Sequence, residues 1–457
     1  MKPPRQPHVQ LVNLGCAKNV VDSEEILGLL QEDGFALGAP GRKADVVIIN
    51  TCGFLQSARK ESLSAIRAAA ARRRRGDVRR LVVIGCLAQR YREEIEAIPG
   101  VDAIVGPGQN RQAAVAARTA LETREQIVSV AELPRHTWAA PRSRYLSTPP
   151  WTAYLKIAEG CDHPCTFCTI PGIRGGYVSK PFEDVITEAR TLVDGGVLEL
   201  NLVAQDTTRY GSDLPGRPDI NDLLRALDSI DGVRMIRLFY AYPYRSVERV
   251  VETLAGLRHG CRYIDMPLQH SDPMILRSMK RPGSGDEYLG MLEQMRACAP
   301  DLTVRTTLIV GFPGETDAAF EGLCRFVEMA RFDRLGVFEY SAEEGTPAAM
   351  MDQRVPAVEC RRRRDEIMRL QQDISLERNR SWVGRELEVL VESRRGRDAV
   401  GRSYRDGPDV DGVVIIGNSS ALPGTFVRVR LTDADVYDLH GTEVHTEALA
   451  VPMEATL

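Results

Sequence analysis

Short apolar runs recur along the first third of the chain, and each one leads into a segment with helical periodicity. The apolar runs lie at residues 9–14, 45–49 and 81–84. Helix signals follow them at residues 22–25, 57–75 and 90–98. Strands that alternate with helices form βαβ units, which assemble into a parallel sheet. The pattern therefore predicts a doubly wound α/β domain over residues 1–135.

This alternation stops and later resumes. Residues 136–150 are irregular and rich in proline, which is typical of a linker. Strand candidates separated by helices then continue at residues 154–158, 199–203, 235–239, 263–266, 303–310 and 335–340. This many repeats predict that residues 151–380 form a full or partial α/β barrel of the TIM type, with its active site at the carboxyl ends of the strands.

The last part of the chain has a different pattern. Residues 361–379 predict a polar, exposed helix that leads outward from the barrel. After Trp382, short strand candidates separated by Gly and Pro turns lie at residues 387–391, 412–416 and 425–431. They predict a small β-barrel like an OB-fold over residues 381–448.

Composition narrows the class of protein. The 457 residues are 43% hydrophobic and 27% charged, which is ordinary for a globular protein with two to four domains. Because no apolar run approaches the ~20 residues of a membrane span and no signal peptide is recognised, we expect a cytoplasmic protein. The net charge of −4 argues against wholesale nucleic-acid binding. Ten cysteines in such a chain are expected to be metal ligands and buried thiols rather than disulfides.

The loop after the first barrel strand carries the most specific chemical signal. Cys161, Cys165 and Cys168 are spaced C-x3-C-x2-C. Three thiolates this close can hold a [4Fe–4S] cluster whose fourth iron is open to a substrate or cofactor. The alternatives are a zinc knuckle without its fourth ligand, or plain buried cysteines. Zinc normally uses a second cysteine pair, and no such pair lies nearby.

A second set of three cysteines lies in the amino-terminal domain. Cys16, Cys52 and Cys86 each follow one of the three apolar runs, about one βα unit apart. Ligands of open α/β sheets bind beyond the carboxyl ends of the strands. We therefore expect the three thiols to converge on one crevice and to form a second three-thiolate cluster site. The alternative is three core cysteines, since free cysteine is commonly buried.

Charge in the carboxyl-terminal barrel indicates its kind of partner. Residues 385–443 hold eight basic and eleven acidic side chains, a net charge of −3. A barrel that grips RNA would normally be basic. An acidic barrel favours a basic protein partner.

With both cysteine sets placed, nearly the whole chain resembles the radical S-adenosylmethionine methylthiotransferases. The matching segments are LGCAKN at 14–19, VDSE at 21–24, NTCGF at 50–54, GCL at 85–87, LKIAEGC at 155–161 with the cysteine loop to 168, LVAQDTT at 202–208 and GFPGET at 311–316. The family's carboxyl-terminal barrel is called TRAM. Residues 402–412 look like the branch that modifies protein S-twelve of the small ribosomal subunit.

The resemblance implies a reaction and its cofactors. Two [4Fe–4S] clusters and S-adenosylmethionine would be bound. The Cys161, Cys165 and Cys168 cluster would generate a deoxyadenosyl radical that removes a hydrogen from Cβ of an aspartate. The amino-terminal cluster would supply the methylthio group. Gln205, Gln269 and Tyr340 follow strand candidates, where contacts to the cofactor are expected.

The resemblance also implies partners, and the chain differs from the family at two positions. A basic ribosomal protein would be the substrate, an electron donor such as flavodoxin or ferredoxin would reduce the clusters, and no membrane or direct nucleic-acid substrate is expected. Relatives often carry arginines where this chain has Val178 and Lys180. A lysine lacks the planar fork of arginine, so an anion contact at Lys180 does not carry over.

Two rival functions remain open at this point. The first is methylthiolation of adenosine in tRNA, against which the acidic barrel and residues 402–412 argue. The second is a non-catalytic iron–sulfur scaffold, which would bind two clusters but would not cleave S-adenosylmethionine.

Overall fold

The computed structural model describes residues 5–39, 42–132, 136–138, 144–244 and 246–444. Parts of the predicted segments therefore lie outside the described residues: 1–4, 40–41 and 133–135 of the amino-terminal domain, 139–143 of the linker, Arg245 of the central barrel and 445–448 of the last domain. The domain limits given above stay predictions.

The amino-terminal part forms one parallel sheet with helices on both faces. Its strands are β1 (His8–Asn13), β2 (Ala36–Leu37), β3 (Ala44–Thr51), β4 (Val78–Gly85), β5 (Ala103–Val105) and β6 (Ile127–Ser129). Its helices are α1 (Ala17–Glu32), α2 (Gln56–Arg74), α3 (Cys86–Arg90), α4 (Arg92–Glu96) and α5 (Asn110–Glu122). The strands pair in the order β2-β1-β3-β4-β5-β6, which is the predicted doubly wound arrangement.

Two apolar cores cover the two faces of this sheet. Val47 and Ile49 of β3 lie in one core, and Val46 and Ile48 lie in the other. Alternate residues of a strand point to opposite faces, so a strand buried on both sides reads as one continuous apolar run. The helix predicted over 90–98 is instead divided between α3 and α4, because the chain leaves helical geometry at Tyr91 (φ −132°, ψ 44°).

The central part is an open, barrel-like sheet. Its strands are β7 (Thr152–Lys156), β8 (Ala158–Glu159), β9 (Val178–Ser179), β10 (Glu199–Val203), β11 (Met235–Leu238), β12 (Gly260–Asp265), β13 (Thr303–Val310) and β14 (Arg334–Glu339). Its helices are α6 (Ile170–Arg174), α7 (Phe182–Asp194), α8 (Ile220–Asp228), α9 (Val247–Gly256), α10 (Pro273–Ser278), α11 (Gly285–Cys298), α12 (Asp317–Ala330) and α13 (Ala357–Arg380), with a 3₁₀ turn at Pro347–Met350. Six parallel strands pair in the order β14-β13-β12-β11-β10-β7, so the predicted barrel is partial, and β8 and β9 form a separate antiparallel pair.

Helix α13 differs from the prediction of an exposed helix that leads outward. Cys360, Ile367 and Ile374 are buried, and the helix packs on β14 and α12. These residues are seven apart, so they form one narrow apolar stripe. The many arginines and acids around the stripe lower the average hydropathy of the segment and conceal it.

The carboxyl-terminal part is a closed five-stranded barrel, as predicted. Its strands are β15 (Glu386–Arg395), β16 (Asp398–Arg402), β17 (Val414–Gly417), β18 (Phe426–Ala434) and β19 (Leu439–Glu443), and they close in the order β15-β16-β17-β19-β18. The prediction missed β16 and β19, which are short and interrupted by glycine. Among the described residues, no helix has the length and apolar character needed to cross a membrane.

Both outer parts of the chain pack against the inner side of the partial barrel. Val21 of α1 and Leu390 of β15 share a buried cluster with Tyr154, Phe239 and Tyr263 from the barrel strands. The open sheet is therefore filled by contacts from the amino-terminal and carboxyl-terminal parts. Helix α1 begins directly after Cys16, so this packing brings the first cysteine close to the barrel.

Residues 402–412 are part of this packing rather than an exposed surface. Arg402 pairs with Glu199 at the start of β10 (2.6 Å), and Asp406 pairs with Arg334 at the start of β14 (2.9 Å). Arg405 is fully buried beside Asp333. The segment that resembles the ribosomal-protein branch thus holds the small barrel against the central sheet.

Candidate functional site

The first three cysteines follow the carboxyl ends of three adjacent strands, β1, β3 and β4. Cys16 lies at the start of α1, Cys52 follows the last residue of β3, and Cys86 is the first residue of α3. Asn13 pairs with Asn50, and Thr51 pairs with Gly85, so the three strands end in register. The structure therefore brings the three predicted ligands to one crevice of the sheet.

Two asparagines fix the loops that carry these thiols. Asn19 donates hydrogen bonds from Nδ2 to the carbonyls of Leu14 (2.8 Å) and Thr51 (3.2 Å). Asn50 donates to the carbonyl of Asn19 and to Ser23 Oγ, both at 3.0 Å. A Cβ at Gly85, which has φ +96°, would lie 2.4 Å from Asn50 Oδ1. Only glycine fits this close approach, which keeps Cys86 beside the other two strands.

The second cysteine loop wraps tightly after β8. Cys161 donates its backbone N–H to the Gly175 carbonyl (3.1 Å), and Cys168 donates to the Cys165 carbonyl (3.1 Å). Gly160 has φ +77°, and a Cβ there would lie 2.1 Å from the Gly176 carbonyl oxygen. The three cysteines of this loop therefore lie on one compact turn at the carboxyl end of the central sheet.

Burial keeps most of these thiols protonated when no metal is bound. Burial raises the pKa of Cys52 and of Cys161 to about 11, and that of Cys168 to about 12. Within each set, the neighbouring thiols raise the pKa of Cys52 and of Cys168 further. Burial also raises the pKa of Cys16, but the positive charges of Lys18 and Arg174 outweigh it and lower the pKa overall.

Both thiol sets have the donor chemistry of an iron–sulfur cluster. All six cysteines are free thiols. In the part of the chain that the structure describes, no three His, Cys, Asp or Glu side chains could share one metal ion. A cluster is held by thiolates on its separate irons, so it accepts sulfurs that stand further apart than the ligands of one zinc. The donor chemistry fits two clusters, and the assignment of the six ligands stays a prediction.

The two cysteine loops meet at Arg174. This arginine ends α6, which begins two residues after Cys168 and packs against α3, the helix that Cys86 begins. Its buried guanidinium donates to Asn19 Oδ1 (2.6 Å) and to the Glu159 carboxylate (2.9 Å), and it pairs with Asp22 (3.2 Å). A cation from the central sheet thus contacts the residues that brace the amino-terminal thiols.

Lys156 completes this buried network. Its ammonium pairs with Asp22 and with Glu159, the latter at 2.9 Å. Burial would raise the pKa of Glu159, but Arg174 and Lys156 hold it well below its ordinary value. Glu159 therefore stays charged, and two cationic side chains lie beside two acidic ones between the sheets.

The three predicted cofactor contacts lie at the carboxyl edge of the central sheet, with different surroundings. Gln205 donates to Glu159 (2.8 Å), and its Oε1 is buried without a partner among the described residues. Tyr340 packs its ring on Phe312, and its buried hydroxyl likewise has no described partner. Gln269 has φ +74°, and its backbone bridges to β13. The contact of each of these three residues with the cofactor stays a prediction.

Sequence reasoning missed several polar residues of this region. His163, inside the cysteine loop, hydrogen-bonds Asp206 (2.7 Å) and stacks on Tyr242 (ring centres 3.8 Å apart). Lys18 and Arg174 were also missed. All of them lie within a few residues of a cysteine or of a strand end. That position in the sequence could have indicated that they belong to the site. Lys180 pairs with the buried Glu188, so its charge serves a structural ion pair.

Family models match three segments of the chain. They are the uncharacterized protein family UPF0004 at residues 8–106, the radical SAM superfamily at residues 155–327 and the TRAM domain at residues 383–444. These segments contain most of the first sheet, most of the central sheet and the closed barrel described above.

Curated relatives match almost the whole length. A ribosomal protein uS12 methylthiotransferase RimO from Anaeromyxobacter sp. (strain Fw109-5) is 47% identical over 95% of this chain and 92% of its own length. Proteins of the same name from Desulforamulus reducens and Geobacter sulfurreducens are each 43% identical over 95% of this chain, and cover 99% and 98% of their own lengths.

A solved structure shares the fold at low sequence identity. The radical S-adenosylmethionine methyltransferase TsrM from Kitasatospora setae, with cobalamin and a [4Fe-4S] cluster bound, has a TM-score of 0.55 and 15% identity. The match covers 76% of this chain and 74% of that one. It supports the α/β architecture alone.

Proposed function

The chain belongs to the family of ribosomal protein uS12 methylthiotransferases, and from this premise we propose that it replaces a Cβ–H bond of an aspartate in uS12 by a Cβ–SCH₃ bond. It is a radical SAM transferase that uses S-adenosylmethionine and [4Fe–4S] clusters. The observation that carries the proposal is the meeting of two cysteine sets at the buried Arg174.

The residues that would hold each group follow from the geometry. Cys161, Cys165 and Cys168 would bind one cluster, and Cys16, Cys52 and Cys86 would bind the other. When bound, the first cluster with S-adenosylmethionine supplies the radical that removes an unactivated hydrogen, and the second supplies the methylthio group.

The chain's own contribution is positioning and exclusion of water. Asn19 and Asn50 hold the amino-terminal loops through hydrogen bonds to their backbone. Arg174 fixes those loops against the central sheet. Because Phe167 packs into the apolar cluster of Phe312 and Tyr340, it shields the second cysteine loop from solvent. A radical intermediate requires such shielding, since water and side reactions would otherwise quench it.

The proposal includes the partners and the compartment. An electron donor such as flavodoxin or ferredoxin would reduce the clusters, and nucleic acid would not be the direct substrate. In the small barrel, the two buried arginines, Arg402 and Arg405, are equal in number to the buried aspartates Asp406 and Asp411. The net negative charge of the barrel therefore lies on its other residues. An acidic surface attracts a basic ribosomal protein. The site of action would be the cytoplasm.

The test is anaerobic reconstitution followed by mass spectrometry of the product. The enzyme with both clusters, S-adenosylmethionine and a reductant is incubated with uS12 and, in parallel, with tRNA. We expect one aspartate of uS12 to gain a methylthio group in place of hydrogen, and the tRNA to stay unchanged. Unmodified uS12 from an enzyme with full iron content would refute the proposal, and methylthioadenosine in the tRNA would favour the sister reaction.

Two cysteine variants separate the two halves of the reaction. Cys161→Ala should stop the formation of deoxyadenosine, because the first cluster loses a ligand. Cys52→Ala should keep that formation but stop insertion of sulfur. Chemical iron analysis of each variant should show the loss of one cluster. Continued deoxyadenosine formation by Cys161→Ala would contradict the assignment of ligands.

A further inference from the structure

Basic side chains are concentrated at the amino ends of strands β3 and β4. Residues 72–80, which end α2 and lead into β4, contain six arginines and one acid, and two more basic residues directly precede β3. We call this surface the basic edge, and its members are Arg42, Lys43, Arg72, Arg73, Arg74, Arg75, Arg79 and Arg80. The net charge of the whole chain is −4, so the rest of the chain is acidic.

Hydrogen bonds to backbone carbonyls hold the basic edge together as one surface. Arg72 donates to the carbonyl of Arg42 (2.6 Å), which joins the end of α2 to the start of β3. Arg73 donates to the carbonyls of Arg79 (3.2 Å) and Gly100 (2.6 Å). A carbonyl orients a guanidinium without neutralising its charge, and the guanidinium keeps further N–H donors for another acceptor.

Carboxylates reach fewer than half of these cations. Arg73 (2.8 Å) and Arg80 (3.7 Å) both pair with the buried Asp102, and Arg75 pairs with Asp77 (3.5 Å). Within the described ranges, no carboxylate oxygen lies within 4.0 Å of the other five members of the basic edge. Positive charge therefore remains available to an anionic partner.

A second run of four arginines, at residues 361–364 of α13, differs in this respect. Arg362 pairs with Glu359 (2.7 Å) and with Glu366 (2.5 Å), and Arg363 also pairs with Glu359 (2.8 Å). The two runs are alike in the sequence. In the structure, acids of the same helix accompany the second run, whereas the basic edge has exposed arginines without them.

The basic edge is exposed and lies away from the cysteines. Arg42, Arg74 and Arg79 are all exposed to solvent. Strand β4 runs for eight residues from the basic edge toward Cys86, which is about 26 Å at ~3.3 Å per residue. A partner that binds the basic edge therefore does not occupy the candidate site.

The chemistry of the basic edge favours a phosphate backbone. All of its members except Lys43 are arginines, whose planar guanidinium matches the oxygens of a phosphate. A membrane surface fits less well, because binding to it normally adds apolar side chains. Among the described residues, the exposed large apolar side chains include none from residues 42–43 or 72–80.

We propose that the basic edge binds the phosphate backbone of RNA and so holds the chain on the RNA that accompanies its substrate. The ribosomal identity of this RNA rests on the proposed function, because a ribosomal protein is assembled with ribosomal RNA. The RNA serves as an anchor and not as the substrate, since the basic edge and the cysteines lie at opposite ends of the strands.

The first experiment measures binding of the full chain to a labelled single-stranded RNA by fluorescence anisotropy at several salt concentrations. If the four arginines without a close carboxylate each contact one phosphate, the affinity should fall roughly 50-fold between about 50 and 200 mM salt. Unlabelled polyglutamate is added as a competitor to test for an acidic protein partner. Absence of RNA binding at the lower salt concentration would overturn the proposal, and so would displacement of the RNA by an equal amount of polyglutamate.

Charge-removing variants then assign the binding to the basic edge. A triple variant changes three exposed arginines to glutamine: Arg42→Gln, Arg74→Gln and Arg79→Gln. Its affinity for RNA should be lower by about 10- to 100-fold at low salt, and the slope of log affinity against log salt should weaken by about 2. The matched control removes the same number of charges from the second run: Arg361→Gln, Arg362→Gln and Arg364→Gln. The control should bind RNA as the wild type does, and equal weakening in both variants would overturn the proposal.

The same variants connect the basic edge with the substrate. With the wild-type enzyme, KM should be lower for uS12 in the small ribosomal subunit than for isolated uS12. The triple variant should raise KM for the subunit alone and leave the formation of deoxyadenosine unchanged. An equal KM of wild type and triple variant for the subunit would overturn the role of the basic edge as an anchor. RNA binding without any methylthio product would refute the proposed function and still support binding of RNA at the basic edge.

Discussion

Glu199 offers a quantitative test of how the central sheet and the small barrel are joined. This fully buried carboxylate accepts hydrogen bonds from Arg402 (2.6 and 3.0 Å) and from Thr152 Oγ1 (3.0 Å), and it lies 3.3 Å from Arg237. Burial would raise its pKa, but the charge and hydrogen bonds of Arg402 outweigh burial and lower the pKa from 4.5 to about 2. That difference corresponds to roughly 3 kcal/mol of stability.

The sign of the pH dependence follows from the lowered pKa. The folded protein binds a proton at Glu199 less readily than the unfolded chain does. Its contribution to stability is therefore complete above about pH 4.5 and is lost as the pH falls toward 2. Glu199→Gln removes the charge at every pH and leaves the buried guanidinium of Arg237 without its anion.

We expect Glu199→Gln to lower the free energy of unfolding by roughly 3 kcal/mol at pH 7, with the difference from wild type narrowing below pH 4.5. The measurement is urea unfolding of the full chain across that pH range. The control is Glu388→Gln, since Glu388 is 57% exposed and pairs with Arg234 at the surface. Such pairs contribute about 0–1 kcal/mol. Equal losses in both variants, or a difference that does not change with pH, would refute the reasoning.

Two further changes test the site itself. Gly160→Ala places a Cβ 2.1 Å from the Gly176 carbonyl oxygen at φ +77°, so chemical iron analysis should show loss of the cluster expected at Cys161, Cys165 and Cys168, whereas Gly172→Ala, with no atom within 4 Å, should retain it. Arg174→Met leaves buried carboxylates uncompensated and should lower the free energy of unfolding in urea by roughly 3–5 kcal/mol; a loss below about 1 kcal/mol would contradict its central place in the network.

Patterns that are local in the sequence predicted most of the fold and the placement of Cys16, Cys52 and Cys86 at one edge of the first sheet. The strands that precede Cys16, Cys52 and Cys86 are continuous apolar runs, because both faces of the first sheet are buried. Parallel strands end at one edge, so the thiols that follow them must approach one another. That inference needs only the order of strands and helices along the chain.

The residues that the sequence did not indicate depend on contacts between distant segments. Arg174 meets Asp22 across a separation of 152 residues, and Arg402 meets Glu199 across 203. No periodicity encodes such pairs, and a charged residue in a sequence reads first as an exposed one. For the same reason the resemblance of residues 402–412 to the ribosomal-protein branch did not indicate that most of them are buried against the central sheet.

Burial of charged side chains between the first and central sheets costs desolvation free energy. This cost indicates that the charges serve to orient the two sheets relative to each other. Arg144 pairs with Glu24 of α1 (2.6 Å) and with Glu188 of α7 (2.5 Å), and Arg174 joins the two cysteine loops. Apolar residues of similar size would hold the sheets together at least as strongly, because buried ion pairs must be desolvated. Ion pairs differ from an apolar interface in demanding one relative orientation, since each bond has a required distance and direction. The proposed reaction would need that fixed orientation, because a radical formed at one cysteine set and the sulfur held at the other would have to act on the same substrate carbon, whereas a scaffold that only stored iron would not.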